Sequence, residues 1–437
     1  MSSSTNFVGQ KVFNAEQFKE HISTAGMTKL YFAYGKTDAW ANDSVPNTAV
    51  STVASQYEVW YNMIGGKQVT TADIAHVIPR NDWTTSTIYY AYDDKNIESN
   101  AKMYVLTSDW NVYKCIANNY GASSTVKPTA VNPDATTQTS DGYIWKYMYT
   151  VSDNEKLRFV TDNYISVKTL TGDDGSRQWS VQEAAVDGGI HSILVTSSGS
   201  DYTSTPTVAI TGDGSGATAT ATINTSSNTV NSIIVSATGQ SYTYANVSIT
   251  GGGGSGANAR VIISPFGGHG SNPLYELGGK DLLVNPRLIS SEDSVLPTTN
   301  DFRQVSLIRG PLIANSNTAF TNTAFLQAYT LITNTTGTGN YDENEIVYQG
   351  SSLAAASFSG RVVSWNATTA TATTINNRGA PSAGSLIGAN SATSRQFVSS
   401  NTGALSTHSG QVLYIDNIKP IIRSSDQTED FKIIIKF

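Results

Sequence analysis

A chain of 437 residues with 14% charged side chains, a net charge of −7 and a pI near 5.3 is poor in charge and mildly acidic. Thr, Ser, Asn and Gly fill the deficit, but aromatics at 10% and frequent Val/Ile runs exclude a disordered polymer and point to a β-rich, turn-rich fold. Scattered Lys and Arg exclude the basic footprint of a binder of nucleic acid or anionic membrane, and the lone Cys115 excludes an intrachain disulfide or a multi-cysteine zinc site.

The segment Met1–Val8 has neither the charged nor the apolar region of a signal peptide, and no apolar run nears the roughly 20 residues of a membrane span. A soluble protein, made in a reducing cytosol and not exported by a Sec-type signal, is expected. Asn14 is placed to cap a helix over Ala15–Ile22, with Phe18, His21 and Ile22 on one face. Lys29–Tyr34 reads as a strand stopped by Gly35. Residues 51–76 suit one or two helices: Trp60, Met63 and Ile64 share helical spacing, and a short helix over Thr71–His76 precedes Pro79. Between Thr87 and Val151 the pattern turns to strands, at Ile88–Tyr92, Met103–Leu106, Val112–Ile116 and Tyr143–Tyr149, with Asp, Asn, Gly and Pro between them. This predicts a Tyr-rich antiparallel sheet. Alternation along a strand requires at least one of Tyr89, Tyr90 and Tyr92 to face solvent, a second layer or a partner.

Near Trp179 the composition shifts, and from about 183 to 264 aromatics nearly vanish. Here the sequence repeats at an offset of 40 with one local slip. Ser192–Val195 matches Ser232–Val235, Gly199–Thr203 matches Gly239–Thr243, and Val208–Gly212 matches Val247–Gly251 at an offset of 39. An extra glycine restores the register, so that Gly214–Ala217 matches Gly254–Ala257. Each unit reads as strand, turn with Tyr, strand, glycine turn, strand. Two such units are expected to share a fold and to pack on each other, burying a face that neither covers alone. Matched Ile and Val positions argue against a flexible linker.

The earlier composition returns over 265–330, with Leu274–Leu277 and the strand Phe302–Ile308. A second polar block, about 333–408, carries Tyr341–Tyr348 and Gly360–Trp365. Two strands, Gln411–Ile415 and Phe431–Phe437, close the chain, with Pro420 setting a bend between them. The expected architecture is mainly β with a few short helices (α+β). A discontinuous, antiparallel, β-sandwich-like parent domain spans 1–182, 265–332 and 409–437. Two small β modules, 183–264 and 333–408, are inserted into its loops, where insertion is tolerated if the loop ends lie close together.

Catalytic chemistry finds little support. No two of the five histidines (His21, His76, His191, His269 and His408) lie within five residues of each other, so no local metal-ligand pair exists. His269, in Gly267–Gly270, reads as a turn or contact residue. Cys115 falls inside a strand and reads as a buried, inert thiol. Gly251–Gly256 lacks the Lys-Ser/Thr of a phosphate cradle and reads as a turn. The carboxylates at Asp93–Asp94, Asp173–Asp174 and Asp342–Glu345 do not follow calcium-loop spacing and read as solvated turns. No catalytic residue, cofactor or metal is expected, and the chain reads as not an enzyme.

Five stretches carry a family resemblance: Tyr31–Trp40, Val77–Trp83, Asp141–Tyr147, Phe302–Ile308 and Ile418–Glu429. In this order they resemble the β-rich baseplate wedge subunit, the one numbered eight, of T-even-like contractile-tailed bacteriophages. The Ile-Pro-Arg-x-Asp-Trp and Asp-Gly-Tyr-x-Trp patterns are the most specific. The parent domain they mark out covers roughly half to two thirds of the chain, whereas 183–264 and 333–408 look like additions. The resemblance implies a structural subunit of the tail baseplate in the virion, assembled in host cytoplasm. It implies a homodimer within each wedge that joins other wedge subunits around a hub and helps relay the change that triggers sheath contraction. Tail-fibre attachment proteins are further candidate partners; nucleic acid and membrane are not.

Within the matched stretches, Arg80, Asp82, Trp83, Tyr143 and Trp145 are the candidate structural or interface residues. Arg80 and Asp82 are close enough to tie a loop after Pro79, either as a self-contained turn or as a wedge contact. Trp83 and Trp145 suit a core or an interface, with the core favoured. Two other functions stand against the scaffold. A host-binding adhesin recognising surface glycans would use exposed aromatics of the two modules, which have few. A cell-wall hydrolase would need convergent carboxylates in a groove.

Overall fold

The computed structural model describes residues 7–24, 28–96, 102–289, 296–298, 300–424 and 426–437, so Met1–Asn6 of the N-terminal segment and Ser425 of the last matched stretch lie outside it. It is mostly β, with several antiparallel sheets and few short helices. The chain divides into two compact units, one from Met1–Glu16, Ala75–Leu283 and Ile434–Phe437, the other from Gln17–Ile74 and Val284–Ile433. The segments 183–264 and 333–408 fall in different units.

Helix α1 (Val8–Ser23) starts well before Asn14, which lies inside it. The Phe7 carbonyl accepts from the Gln10 and Lys11 N–H groups, and Val12, Ala15 and Ile22 are buried. Strand β1 (Leu30–Gly35) is buried along its whole length. Helix α2 (Val53–Asn62) is capped by the Thr52 side chain, which accepts from the Ser55 N–H at 3.1 Å. It ends earlier than the spacing of Trp60, Met63 and Ile64 predicts, because Met63–Val69 is strand β2. Gly65 and Gly66 are poor helix residues, and pairing with β1 decides the conformation. The helix expected at Thr71–His76 is one 3-10 turn, Thr71–Asp73, leading into β3 (Ile74–Pro79), where β-branched residues prevail.

In the first unit, β4 (Tyr104–Leu106), β5 (Asn111–Asn118), β6 (Thr137–Gln138) and β7 (Tyr143–Thr150) form an antiparallel sheet in the order β4-β5-β7-β6. Ile88–Tyr92 is not the expected strand. Among the described residues a single bridge lies beside it, Thr87 to Ser124, and the Tyr92 N–H donates to the Cys115 carbonyl, while side chains take the polar groups of Tyr89. The Tyr89 N–H donates to the Tyr143 hydroxyl and the Asn118 side chain donates to the Tyr89 carbonyl. Tyr89 and Tyr92 are buried, while Tyr90 is 61% exposed. Two short helices, α3 (Asp153–Phe159) and α4 (Arg177–Glu183), flank β8 (Tyr164–Val167), which pairs with β3.

The repeat comprises β9 (Ile190–Ser200), β10 (Thr207–Gly212) and β11 (Ser215–Asn224), then β12 (Thr229–Gln240), β13 (Ala245–Thr250) and β14 (Ser255–Ile263). Both units have the same three-strand order, but neither forms its own sheet. β9 pairs with β14 and β12 pairs with β11, so each unit's first strand lies on the other's last. β10 pairs with β13, Val208 opposite Ile249 and Ile210 opposite Val247. β9 and β12 meet at Ile193 and Ile233, equivalent residues on a local pseudo-twofold axis. Tyr202 and Tyr242 pin the exchange. The Tyr202 hydroxyl accepts from the Ala257 N–H and the Tyr242 hydroxyl from the Ala217 N–H, each at 3.4 Å. A Cβ at Gly254 or Gly214 would sit 2.6 or 2.5 Å from the respective ring carbon, so glycine is required at both turns.

Helix α5 (Pro273–Glu276) and β15 (Asp281–Val284) end the long central segment of the first unit, before the second resumes with β16 (Arg287–Ile289) and β17 (Asp301–Arg309). β18 (Ala324–Leu326) and β25 (Gln411–Ile422) join it in a five-stranded sheet, β18-β2-β1-β17-β25. Pro420 lies within β25, at a register shift against β17, rather than between two strands. β19 (Tyr329–Thr333), β20 (Ile346–Gln349), β21 (Phe358–Asn366), β22 (Thr371–Gly379), β23 (Ser385–Gly388) and β24 (Ser394–Asn401) close into a barrel. Leu331, Tyr341, Val347, Phe358, Val362 and Leu386 are buried in its core. β26 (Thr428–Asp430) pairs with β16, and β27 (Ile433–Ile435) is shorter than the expected Phe431–Phe437 strand.

Tyr202→Ala or Tyr242→Ala is expected to cost about 3–5 kcal/mol each, in the range for emptying a buried aromatic site. Hydrogen exchange should rise in β9 and β12 together in either variant. Exchange rising only in the mutated unit would show that the units fold separately.

Candidate functional site

Residues 141–147 build the aromatic centre of the first unit. Alternation on β7 places Tyr143, Trp145 and Tyr147 on one face, and all three are buried. The Tyr143 and Trp145 rings stack at 5.4 Å with 15° between planes, and Tyr89 meets Trp145 edge-on at 5.8 Å. Trp83 is half-buried and packs against this cluster. Its Nε1 donates to Ser124 Oγ at 3.2 Å, and Ser124 Oγ donates to Asp141 Oδ2 at 3.1 Å. Asp141 also takes the Thr125, Val126 and Tyr143 N–H groups and the Thr139 hydroxyl. Partial burial alone would raise the Asp141 pKa, but these bonds outweigh it and hold the carboxyl below its ordinary value. The structure thus joins Trp83 to Tyr143 and Trp145 through the Asp141 turn.

Arg80 and Asp82 form a local tie. Arg80 Nε donates to both Asp82 carboxylate oxygens at 3.0 Å, and Nη1 reaches the Thr161 carbonyl at 3.4 Å. Asp82 is exposed, so this ion pair adds little stability and chiefly fixes the turn after Pro79.

The opposite face of the same sheet holds a polar centre that sequence reading missed. Lys114 of β5 and Lys146 of β7 are directly opposed in register, and both are buried. Like charges in that position repel. Glu276 of α5 answers them: Lys114 Nζ lies 2.7 Å from Glu276 Oε2, with side-chain exposures of 0% and 3%. The second oxygen, Oε1, accepts from the Gly270 N–H at 2.8 Å and the Asn272 N–H at 3.2 Å. Lys146 Nζ donates to the Pro133 carbonyl at 2.7 Å. Lys114 also lies over the Tyr92 ring, 4.2 Å from its centroid. His269 Nδ1 is 3.9 Å from Glu276 Oε2, and the His269 ring contacts Tyr92 and His191 edge-on. Burial lowers both lysine pKa values, with Glu276 opposing the shift. Burial, then the two ammonium groups, lowers His191 to about 4; burial first, then Lys114, His191 and Lys146, takes His269 well below 6.5. Cys115, on the aromatic face, is buried and its thiol pKa is raised by that burial. The available signal for the polar centre was a Lys flanked by buried-type residues in two neighbouring strands.

In the second unit three matched stretches meet at one arginine. Arg303 of β17 binds Asp43 through Nε at 3.0 Å and Nη2 at 2.9 Å, Asp301 through Nη1 at 2.6 Å, and the Thr37 carbonyl at 2.7 Å. Asp43 Oδ1 accepts from the Trp40 N–H at 2.7 Å, and Trp40 Nε1 donates to the Ile418 carbonyl at 3.1 Å. The hydrogen bond from Arg303 is the main reason that the Asp43 carboxyl sits below its usual pKa. Nearby, buried Arg423 binds Glu429 at 3.1 Å and reaches the Tyr34 hydroxyl at 3.4 Å. Among the described residues, no group of three or more His, Cys, Asp or Glu side chains could hold a metal ion, and no helix is long and apolar enough to cross a membrane.

These features define a polar-centred, mostly antiparallel β protein. No family model matches the chain. Over 174 residues it is 20% identical to the baseplate wedge protein gp8 of Enterobacteria phage T4, covering 32% of this chain and 52% of that protein. The chain therefore spans about half the length of the curated relative it matches.

Glu276→Gln should cost about 3 kcal/mol or more, since it leaves Lys114 buried without its carboxylate, and pairing it with Lys114→Met should recover part of the loss. Urea midpoints read both. Because His191 and His269 are held below the ordinary 6.5, their contribution is intact above that pH and is lost as pH falls, for His191 down to about 4. Wild type should therefore lose stability between pH 6.5 and about 4 more steeply than His191→Gln, measured at matched pH. Equal slopes would remove His191 from the acid response.

Proposed function

We propose that this chain is a non-catalytic structural subunit of a phage tail baseplate wedge. It assembles with other wedge subunits around the hub as a homodimer and helps transmit the change that triggers sheath contraction. The observation that carries the reading is the sequence similarity to a protein named as a baseplate wedge subunit. Two structural features support it. The matched stretches are framework elements in both units: β1, β17 and the end of β25 in one, β3 and β7 in the other. The principal charged clusters, around Lys114–Glu276, Arg303–Asp43 and Arg423–Glu429, tie strands and loops together.

The purified protein, measured by mass in solution, should be a dimer and should join a defined complex when mixed with the other wedge subunits of the same phage. A monomer or trimer that ignores those subunits would overturn the reading, and binding to host-surface glycans would then favour an adhesin.

A further inference from the structure

The five-stranded sheet of the second unit ends on β25, and part of its outer edge is open. The alternation of backbone bonds can be followed across the sheet. The Gly310 N–H donates to the Lys29 carbonyl at 2.8 Å, which makes Tyr31–Ile308 and Ala33–Ser306 hydrogen-bonded pairs. Leu307 and Val305 therefore turn the other way, toward their partners Tyr414 and Asp416 on β25. By the same alternation, the backbone N–H and C=O of Ile415 and Asn417 face away from the sheet. Among the described residues no group bonds them.

Either side of this stretch the edge is blunted. Toward the C-terminal end, Trp40 Nε1 caps the Ile418 carbonyl, Lys419 and Pro420 follow, and the register shifts. Toward the other end a second register shift leaves Leu413 without a partner residue on β17. Charges, proline and bulges are how proteins protect sheet edges from pairing. Here they frame a short open run, Tyr414–Asn417, along which the Asn417 side chain donates to the Asn47 carbonyl at 2.9 Å.

Beside that run lies a groove of about 190 Å³, walled by Val412–Ile415 on one side and by Ala49, Val50, Ser51 and Gln56 on the other. Among the described residues, no charged side chain lines it. Large apolar side chains stand open around it: Val50 is 59% exposed, Val53 67% and Leu413 40%. An open strand edge and an uncharged groove facing the start of a helix together specify the shape and chemistry of an occupant. Unpaired outward amides and carbonyls call for an extended backbone, and the walls call for aliphatic side chains at alternate positions.

We propose that this groove takes an extended, uncharged, aliphatic-rich segment of another protein as a sixth strand, hydrogen-bonded to Ile415 and Asn417. Its alternate side chains rest against Val50, Val412 and Leu413. The segment is short, because the open run ends at Ile418. This binding mode is independent of which assembly the chain joins.

The test is hydrogen exchange, resolved to single amides, on the full chain titrated with acetyl-Ser-Val-Thr-Val-Thr-Val-Ser-amide. At about ten times Kd, exchange at Ile415 and Asn417 should slow about tenfold. Val50→Arg and Ser51→Arg, both at the groove wall, should abolish that protection while leaving exchange elsewhere as in wild type. Using both variants separates groove blockage from a fold defect in either one. Unchanged exchange at these amides with peptide up to about 1 mM, the weak end of measurable affinity, would overturn the proposal. So would amides already protected in the free protein at concentrations where it sediments as a dimer, since a second copy would then occupy the edge.

Discussion

Inside the first unit, two buried lysines face each other across neighbouring strands. That constraint shapes much of what surrounds it. An opposed, buried lysine pair is tolerable only if an anion and several dipoles converge on it. Glu276 supplies the anion, the Pro133 carbonyl supplies a dipole for Lys146, and Tyr92 offers a ring face to Lys114. For Glu276 to arrive, the chain must turn sharply through Gly267–Gly270, which places His269 in the same site with a lowered pKa. The first strand of the repeat module enters through His191. One electrostatic demand thus fixes the relation of the sheet, the glycine turn, α5 and the start of β9.

The second unit solves an equivalent problem with arginine. Arg303 and Arg423 are each buried, and each is matched to carboxylates and carbonyls drawn from distant parts of the chain. The planar guanidinium serves several acceptors at once, where an ammonium would act as a point charge. This explains how stretches far apart in sequence, around residues 37–43, 301–303 and 418, converge on one knot beside the central strands.

Much of this was legible in the sequence, and the failures have physical causes. Strongly alternating or wholly apolar runs, such as β1, β5, β7 and β17, announce themselves because burial on a pleated surface demands that pattern. Of the candidate structural or interface residues, the aromatic side chains Trp83, Tyr143 and Trp145 lie in one packed cluster, while Arg80 and Asp82 form a separate local tie. Residues 63–76 were misread as helical because a few apolar residues at short spacing fit both periodicities, and only pairing with β1 and β8 decides between them. Ile88–Tyr92 has strand composition but lies where side chains satisfy the backbone of Tyr89. The lysine-glutamate centre was missed because Glu276 is far from both lysines in sequence. The repeat was visible as a repeat, but its strand exchange was not, since the same residues could pair within a unit or between units.

That exchange limits how such a module can change. A stacked array of repeats presents a free face at each end and can lengthen or shorten one unit at a time. Here each copy completes the other, through β9 with β14, β12 with β11 and β10 with β13. A third copy would find no complementary strand left to pair with, and a single copy would lack every strand partner it has here unless it met a twin from another chain. The segment is in effect a symmetric dimer fused into one polypeptide, so its natural unit of gain or loss is the pair.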